Sequence, residues 1–133
     1  MCISSNHDVT IVGGGPVGLA AALALQETGL SVAVLERAPA AVWAEPQFDG
    51  REIALTYHAR SFLERLGAWQ HIPDSVICPL KEARVETGVH NHPLIFEADR
   101  PAAAEGEPPG WLASNNMTRR APYAEPGTRP GIS

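Results

Sequence analysis

The sequence predicts an α/β fold that opens on a βαβ unit shaped to hold a dinucleotide. Three observations predict it. A short apolar strand, with Val9, Ile11 and Val12, runs into a G-x-G-x-x-G turn at Gly13, Gly15 and Gly18. An alanine- and leucine-rich helix follows from Val17 to Gln26. A second apolar strand, Ser31 to Glu36, then ends in an acid about 20 residues beyond the turn, the separation at which a carboxylate meets a ribose hydroxyl. In order, these are the parts of a Rossmann-like start.

Each glycine has a physical task. Gly13 permits the tight turn out of the strand, Gly15 lets a pyrophosphate approach the backbone, and Gly18 lets helix and strand pack closely. Pro16 fits the first helical turn, where its missing N–H costs little. The helix N-terminus then turns its N–H groups and positive dipole end toward the phosphates. Gly29 closes the helix.

Residues 37–50 carry two prolines and few periodic apolar positions and read as a loop. Thr56 is the N-cap of a helix from Tyr57 to Leu66, with Phe62, Leu63 and Leu66 on its core face and Gly67 after it. Residues 73–79 read as a proline-bounded connection. Ala83, Val85, Thr87 and Val89 alternate as in a strand with one wet face, and Leu94 to Phe96 is the returning strand of a hairpin. Residues 99–110 read as loop and Trp111 to Ala113 as an apolar island. Ser114 or Asn115 caps a helix through Ala121, which is expected to fail at Pro122. The division is therefore 8–121 as ordered domain and 122–133 as an unstructured tail.

Composition excludes several classes. A chain of 133 residues with 44% hydrophobic content can bury one small core. A net charge of −5 argues against a nucleic-acid-binding surface. Cys2 and Cys78 form no disulfide framework and suit a reducing cytoplasm. The apolar run from Val17 to Leu25 is too short to span a bilayer. His90 and His92 make a bare H-x-H without acidic or thiol partners, so no metal site is expected.

These residues together resemble the N-terminal portion of the class A flavoprotein monooxygenases, and within them the ubiquinone-biosynthesis hydroxylases. Three segments carry the resemblance: Asp8–Gly18 through Glu36-Arg37, then Asp49-Gly50-Arg51-Glu52-Ile53-Ala54-Leu55 as D-x-R-x-x-A-L, then Phe62 to Trp69. Asn115 to Ala121 is a looser match. The second segment is the most specific, because the glycine fingerprint fits many FAD and NAD proteins.

The resemblance implies a Rossmann-like FAD-binding βαβ domain, incomplete, as the N-terminal part of a larger two-domain fold. Gly13, Gly15, Pro16, Val17 and Gly18 would face the FAD pyrophosphate. Glu36 would hold the adenosine ribose, Arg37 would lie along the adenine side, and Arg51 and Arg119 would reach the cofactor elsewhere. It also implies NAD(P)H as co-substrate and O₂-dependent hydroxylation of a polyprenylated phenol. The location implied is cytoplasmic, with peripheral association at the inner face of a membrane. No catalytic acid, base or nucleophile is expected in this stretch, because the cofactor carries the chemistry.

The family's later Gly-Asp motif and substrate-domain sheet have no counterpart here. The chain is accordingly expected to be a truncated or frame-shifted N-terminal fragment, inactive as a hydroxylase by itself. Reading the downstream coding DNA in the other two frames tests the frameshift. The alternative is a stand-alone FAD- or NAD-binding module without catalysis.

Overall fold

The computed structural model describes residues 6–86, 88, 93–97, 108 and 110–124. Strand β1 (Val9–Val12) pairs in parallel with β2 (Val32–Leu35), in the register Val9 to Val32 and Val12 to Leu35. Helix α1 (Pro16–Gln26) connects them. Asp8 fastens the open end of this pair: its carboxylate accepts from the Ser31 N–H at 2.9 Å and the Ser31 hydroxyl at 2.7 Å. The βαβ start expected from the sequence is thus present, within a residue or two at each boundary.

A second sheet is antiparallel and has the order β3–β7–β4. Its strands are β3 (Glu52–Leu55), β4 (Ile77–Leu80) and β7 (Gly110–Ser114). The expected hairpin is β5 (Glu82–Val85) with β6 (Leu94–Glu97). Helix α3 (Tyr57–Arg65) begins at Thr56, whose hydroxyl accepts from the Ala59 N–H at 3.3 Å. It stops at Gly67, where φ of 70° lets the chain leave the helix.

Helix α1 sits between the two sheets, which explains its many small residues. Leu19 and Ala22 pack with Val32, Val34 and Trp43. Ala20 and Leu23 pack with Leu55, Leu63, Leu66, Ala68 and Ala113. A helix apolar on two faces has to be buried on two faces. On the far side of the second core, Trp111 meets Tyr57 and Trp69 edge-on, at 5.0 and 6.3 Å between ring centroids. The Arg60 guanidinium lies 4.3 Å from the Trp111 ring and 2.7 Å from Glu64.

Several expectations need correction. The stretch 37–50 holds a helical turn, α2 (Ala41–Ala44), which buries Trp43 to 1% exposure. One turn is too short to show periodicity. The connection 73–79 contains a 3-10 turn (Asp74–Val76) and most of β4. Pro79 is tolerated there because β4 is an edge strand. The apolar island at Trp111 is the middle of the central strand β7, buried on both faces and so without alternation. Helix α4 (Asn115–Ala124) does not fail at Pro122. Pro122 is fully buried in the last turn and Tyr123 meets Trp43 edge-on at 5.6 Å, and this packing holds the helix past the proline. The helix therefore runs to Ala124; residues 125–133 of the expected tail lie outside the described residues, as do Cys2, Thr87, Val89, His90, His92 and most of the expected 99–110 loop.

Candidate functional site

The glycine turn has the features an anion needs. Gly13 adopts φ of 109° and donates to the Leu35 carbonyl at 2.8 Å, so the turn leaves β1 while staying tied to β2. At Gly18 an added Cβ would strike the Gly13 carbonyl oxygen, so helix and turn touch backbone to backbone. At Gly15 nothing lies within 4 Å of an added Cβ. Gly15 is also the N-cap of α1, with Pro16 in the first turn, no side-chain cap and no acidic residue there. An 11-residue helix thus presents a positive end without a side-chain cap to open space. A diphosphate fits that place. Val12 and Val17 flank it, 85% and 83% exposed.

Gly14, the unassigned middle glycine, is fixed from two sides. Its N–H donates to Glu36 Oε2 at 2.8 Å. An added Cβ would come within 2.5 Å of the Trp43 ring, which forms the floor of the turn. Glu36 accepts a second bond, from the Ala38 N–H at 2.9 Å. These two backbone donors, Ala38 first and Gly14 second, hold its carboxyl below the ordinary range, and the charge of Arg119 adds to the effect. A carboxylate so held is acceptor-only, with lone pairs left for hydroxyl donors such as those of a ribose.

A second group of residues gathers between the 45–49 segment and α4. A cavity of about 430 Å³ is lined by Val42, Pro46, Asp49, Asn115, Asn116 and Arg119, among others. Asn116 is 5% exposed; its Nδ2 donates to the Pro46 carbonyl at 3.4 Å, and its Oδ1 is buried without a partner. Arg119 Nε is also buried without a partner. Both residues line the cavity, so an orphaned acceptor and an orphaned donor lie buried beside it. Arg51 is exposed and does not line the cavity itself, but it pairs at 2.7 Å with Asp49, which does. Arg119 links the two groups, since its charge acts on Glu36 while its side chain lines the cavity.

Of the sequence-predicted residues, Gly13, Gly15, Pro16, Val17, Gly18 and Glu36 therefore surround one turn, and Arg119 joins it to the cavity. Arg37 is exposed beyond the end of β2, and no contact of its side chain draws it into either group. Sequence reasoning missed Trp43, Asp49 and Asn116 as site residues. Asp49 has a local signal, the D-x-R spacing, whereas Asn116 and Trp43 are recognisable only from their burial. A larger hollow of about 960 Å³ lies along α3, lined among the described residues by His58, Phe62 and Arg65 with their helical neighbours and not by the residues of the glycine turn or the smaller cavity. Among the described residues, no group of His, Cys, Asp or Glu is placed to hold a metal, and no helix is long and apolar enough to cross a membrane.

The lowered carboxylates set a pH dependence. Asp8 and Glu36 lie low, through hydrogen bonds led by Ser31 and Ala38 respectively; Asp49 is pulled from 3.8 to about 2, first by the Arg51 side chain and next by Asn115, but with Arg51 72% exposed its pairing is screened by solvent and adds little to the stability. A depressed folded pKa stabilises above the unfolded value and loses that contribution as pH falls through the folded one. The melting temperature should therefore be level in these groups' contribution above about pH 5 and fall between about pH 4 and pH 2. Circular-dichroism melts across that range check it, and a melting temperature that rises on acidification would contradict it.

Comparison with known proteins bears on family and fold. The family model described as FAD dependent oxidoreductase matches residues 8–74. Ubiquinone hydroxylase UbiM of Neisseria meningitidis is 44% identical over 124 residues, covering 91% of this chain and 26% of that protein. The 3-demethoxyubiquinol 3-hydroxylase of Escherichia coli K12 is 42% identical over 117 residues, covering 86% and 28%. Among solved structures, p-nitrophenol 4-monooxygenase PnpA of Pseudomonas putida superposes with a TM-score of 0.59 at 23% identity, over 94% of this chain and 30% of that one. A flavoprotein/dehydrogenase from Cytophaga hutchinsonii gives 0.63 at 17%, over 97% and 30%. These two show the fold. The chain spans 26% to 28% of the length of these two hydroxylases. This chain belongs to the FAD-dependent oxidoreductase family, and its sequence relatives include ubiquinone hydroxylases.

Proposed function

We infer that this chain is the FAD-binding part of an aromatic-ring hydroxylase acting in ubiquinone biosynthesis. The observation that carries the reading is the open start of α1, without a side-chain cap, beside Glu36. The amides of that turn would bind the pyrophosphate, Glu36 would accept from the adenosine ribose hydroxyls, and Arg119 and Asn116 would meet polar atoms further along the cofactor. Gly13, Pro16, Val17 and Gly18 shape the approach. Arg51 would place its charge near the cofactor's phosphate or ring, and Arg37 would border the adenine.

When bound, the flavin would supply the redox chemistry, the transfer of two electrons from NAD(P)H to O₂, with one oxygen atom going to a phenol ring and the other to water. The residues here bind and orient it; the D-x-R segment and α4 hold its side of the site. A polyprenylated phenol is the substrate proposed for the whole enzyme, with contact at the inner face of a membrane through that apolar tail. These 133 residues span 26% to 28% of the length of the hydroxylases they match, and assayed by themselves they should bind FAD without turnover.

An equilibrium titration with FAD, followed by flavin fluorescence with NAD as competitor, tests the reading. Saturable FAD binding that NAD does not displace is the expected result. Displacement by NAD would favour a stand-alone nicotinamide-binding module, and a folded chain that binds neither would refute both.

A further inference from the structure

Asp49 is bonded far more heavily than an exposed surface acid requires. Its Oδ1 accepts from the Arg51 backbone N–H at 3.1 Å. Its Oδ2 accepts three bonds, from Arg51 Nε at 2.9 Å, Arg51 Nη2 at 2.7 Å and Asn115 Nδ2 at 2.7 Å. The Asn115 N–H in turn donates to the Arg51 carbonyl at 2.9 Å. Asp49, Arg51 and Asn115 thereby close a ring that ties the entry to β3 to the first residue of α4.

Stability does not explain the arrangement. The Arg51 side chain is 72% exposed, and an ion pair so exposed contributes little to folding. What the ring does fix is direction. A free arginine samples many rotamers, and ordering it on binding weakens affinity. Here the guanidinium is clamped along its Nε–Nη2 edge to Asp49, which together with Asn115 lines the cavity, and the Arg51 side chain stays 72% exposed for a ligand to reach. We propose that Asp49 is a positioning residue that presets Arg51 for the cofactor, with Asn115 holding Asp49 in place. The inference rests on the reading that Arg51 meets FAD.

A double-mutant cycle on FAD affinity tests it, with the melting temperature of the ligand-free chain as the second readout. Asp49→Asn keeps the volume and removes the charged acceptor. It should raise the FAD Kd about threefold to tenfold, the cost of ordering one long side chain. It should leave the melting temperature at neutral pH within about 2 °C. In an Arg51→Ala background, which itself weakens binding, Asp49→Asn should have no further effect. Losing a negative charge would by itself strengthen attraction to a diphosphate, so the expected sign is opposite to a simple charge effect. A Kd unchanged or lowered by Asp49→Asn, while Arg51→Ala weakens binding, overturns the positioning role alone. Equal weakening in both backgrounds with a fallen melting temperature assigns Asp49 to the scaffold and also overturns it. An Arg51→Ala chain with unchanged affinity, or a folded chain that binds no FAD, overturns the underlying reading as well.

Discussion

Replacing Gly15 with alanine is expected to leave the chain folded and to weaken FAD binding by roughly a hundredfold. The backbone there has φ −75° and ψ 179°, an extended conformation open to any residue. No atom lies within 4 Å of the new methyl group. The substitution alters only an N-cap glycine, worth at most about 1 kcal/mol, or a few degrees in melting temperature. The ligand meets that methyl group instead. A pyrophosphate held off the α1 amides loses one or two hydrogen bonds to a charged group, each worth about 1.5 to 3 kcal/mol. At about 1.4 kcal/mol per tenfold, that is the hundredfold loss. Gly18→Ala should behave in the opposite way. Its methyl group strikes the Gly13 carbonyl oxygen, backbone that cannot move aside, so folding itself suffers by about 3 kcal/mol. Melts and FAD titrations of both variants separate the cases. A Gly15→Ala chain that binds like the parent would remove the turn from the cofactor site.

Trp43→Ala should produce the largest loss of stability, about 3 to 5 kcal/mol. Trp43 is 1% exposed, packs with Leu19, Ala22, Val32 and Val34, and meets Tyr123 edge-on. A small domain has only about 5 to 15 kcal/mol in total, so much of the chain would be unfolded near its working temperature. Binding should fall too, because the indole ring is the floor under Gly14. Trp43→Phe should cost far less. It keeps most of the packing, and it removes an indole N–H that is buried without a partner. Urea denaturation of the two variants measures the difference. A Trp43→Ala chain within 1 kcal/mol of the parent would show that α2 does not support the turn.

What was legible in the sequence is what is local. The glycine turn, α1 and β2 lie within 28 residues, Val9 to Glu36, and each signal in them names its own cause. Thr56 caps α3 with an N–H three residues away. The rest depends on contacts the sequence does not display. Asp49 meets Asn115 across 66 residues of chain. Trp43 reads as a loop residue until Gly14 and Tyr123 are seen against it. β7 is buried on both faces by elements before and after it, and its five residues show no period. Pro122 reads as a helix end by local rules, and tertiary packing overrides that at the last turn of α4.

In the proposed function, the Gly13–Gly18 turn and Glu36 receive the cofactor. Amide-resolved ¹H–¹⁵N NMR of the labelled chain, titrated with FAD, tests it most directly. The largest shifts should fall on Gly13, Gly14, Gly15, Val17 and Gly18 and on Arg37 and Ala38 after the carboxylate. Saturable shifts confined to the α3 surface around His58 and Arg65, with the turn unmoved, would contradict it.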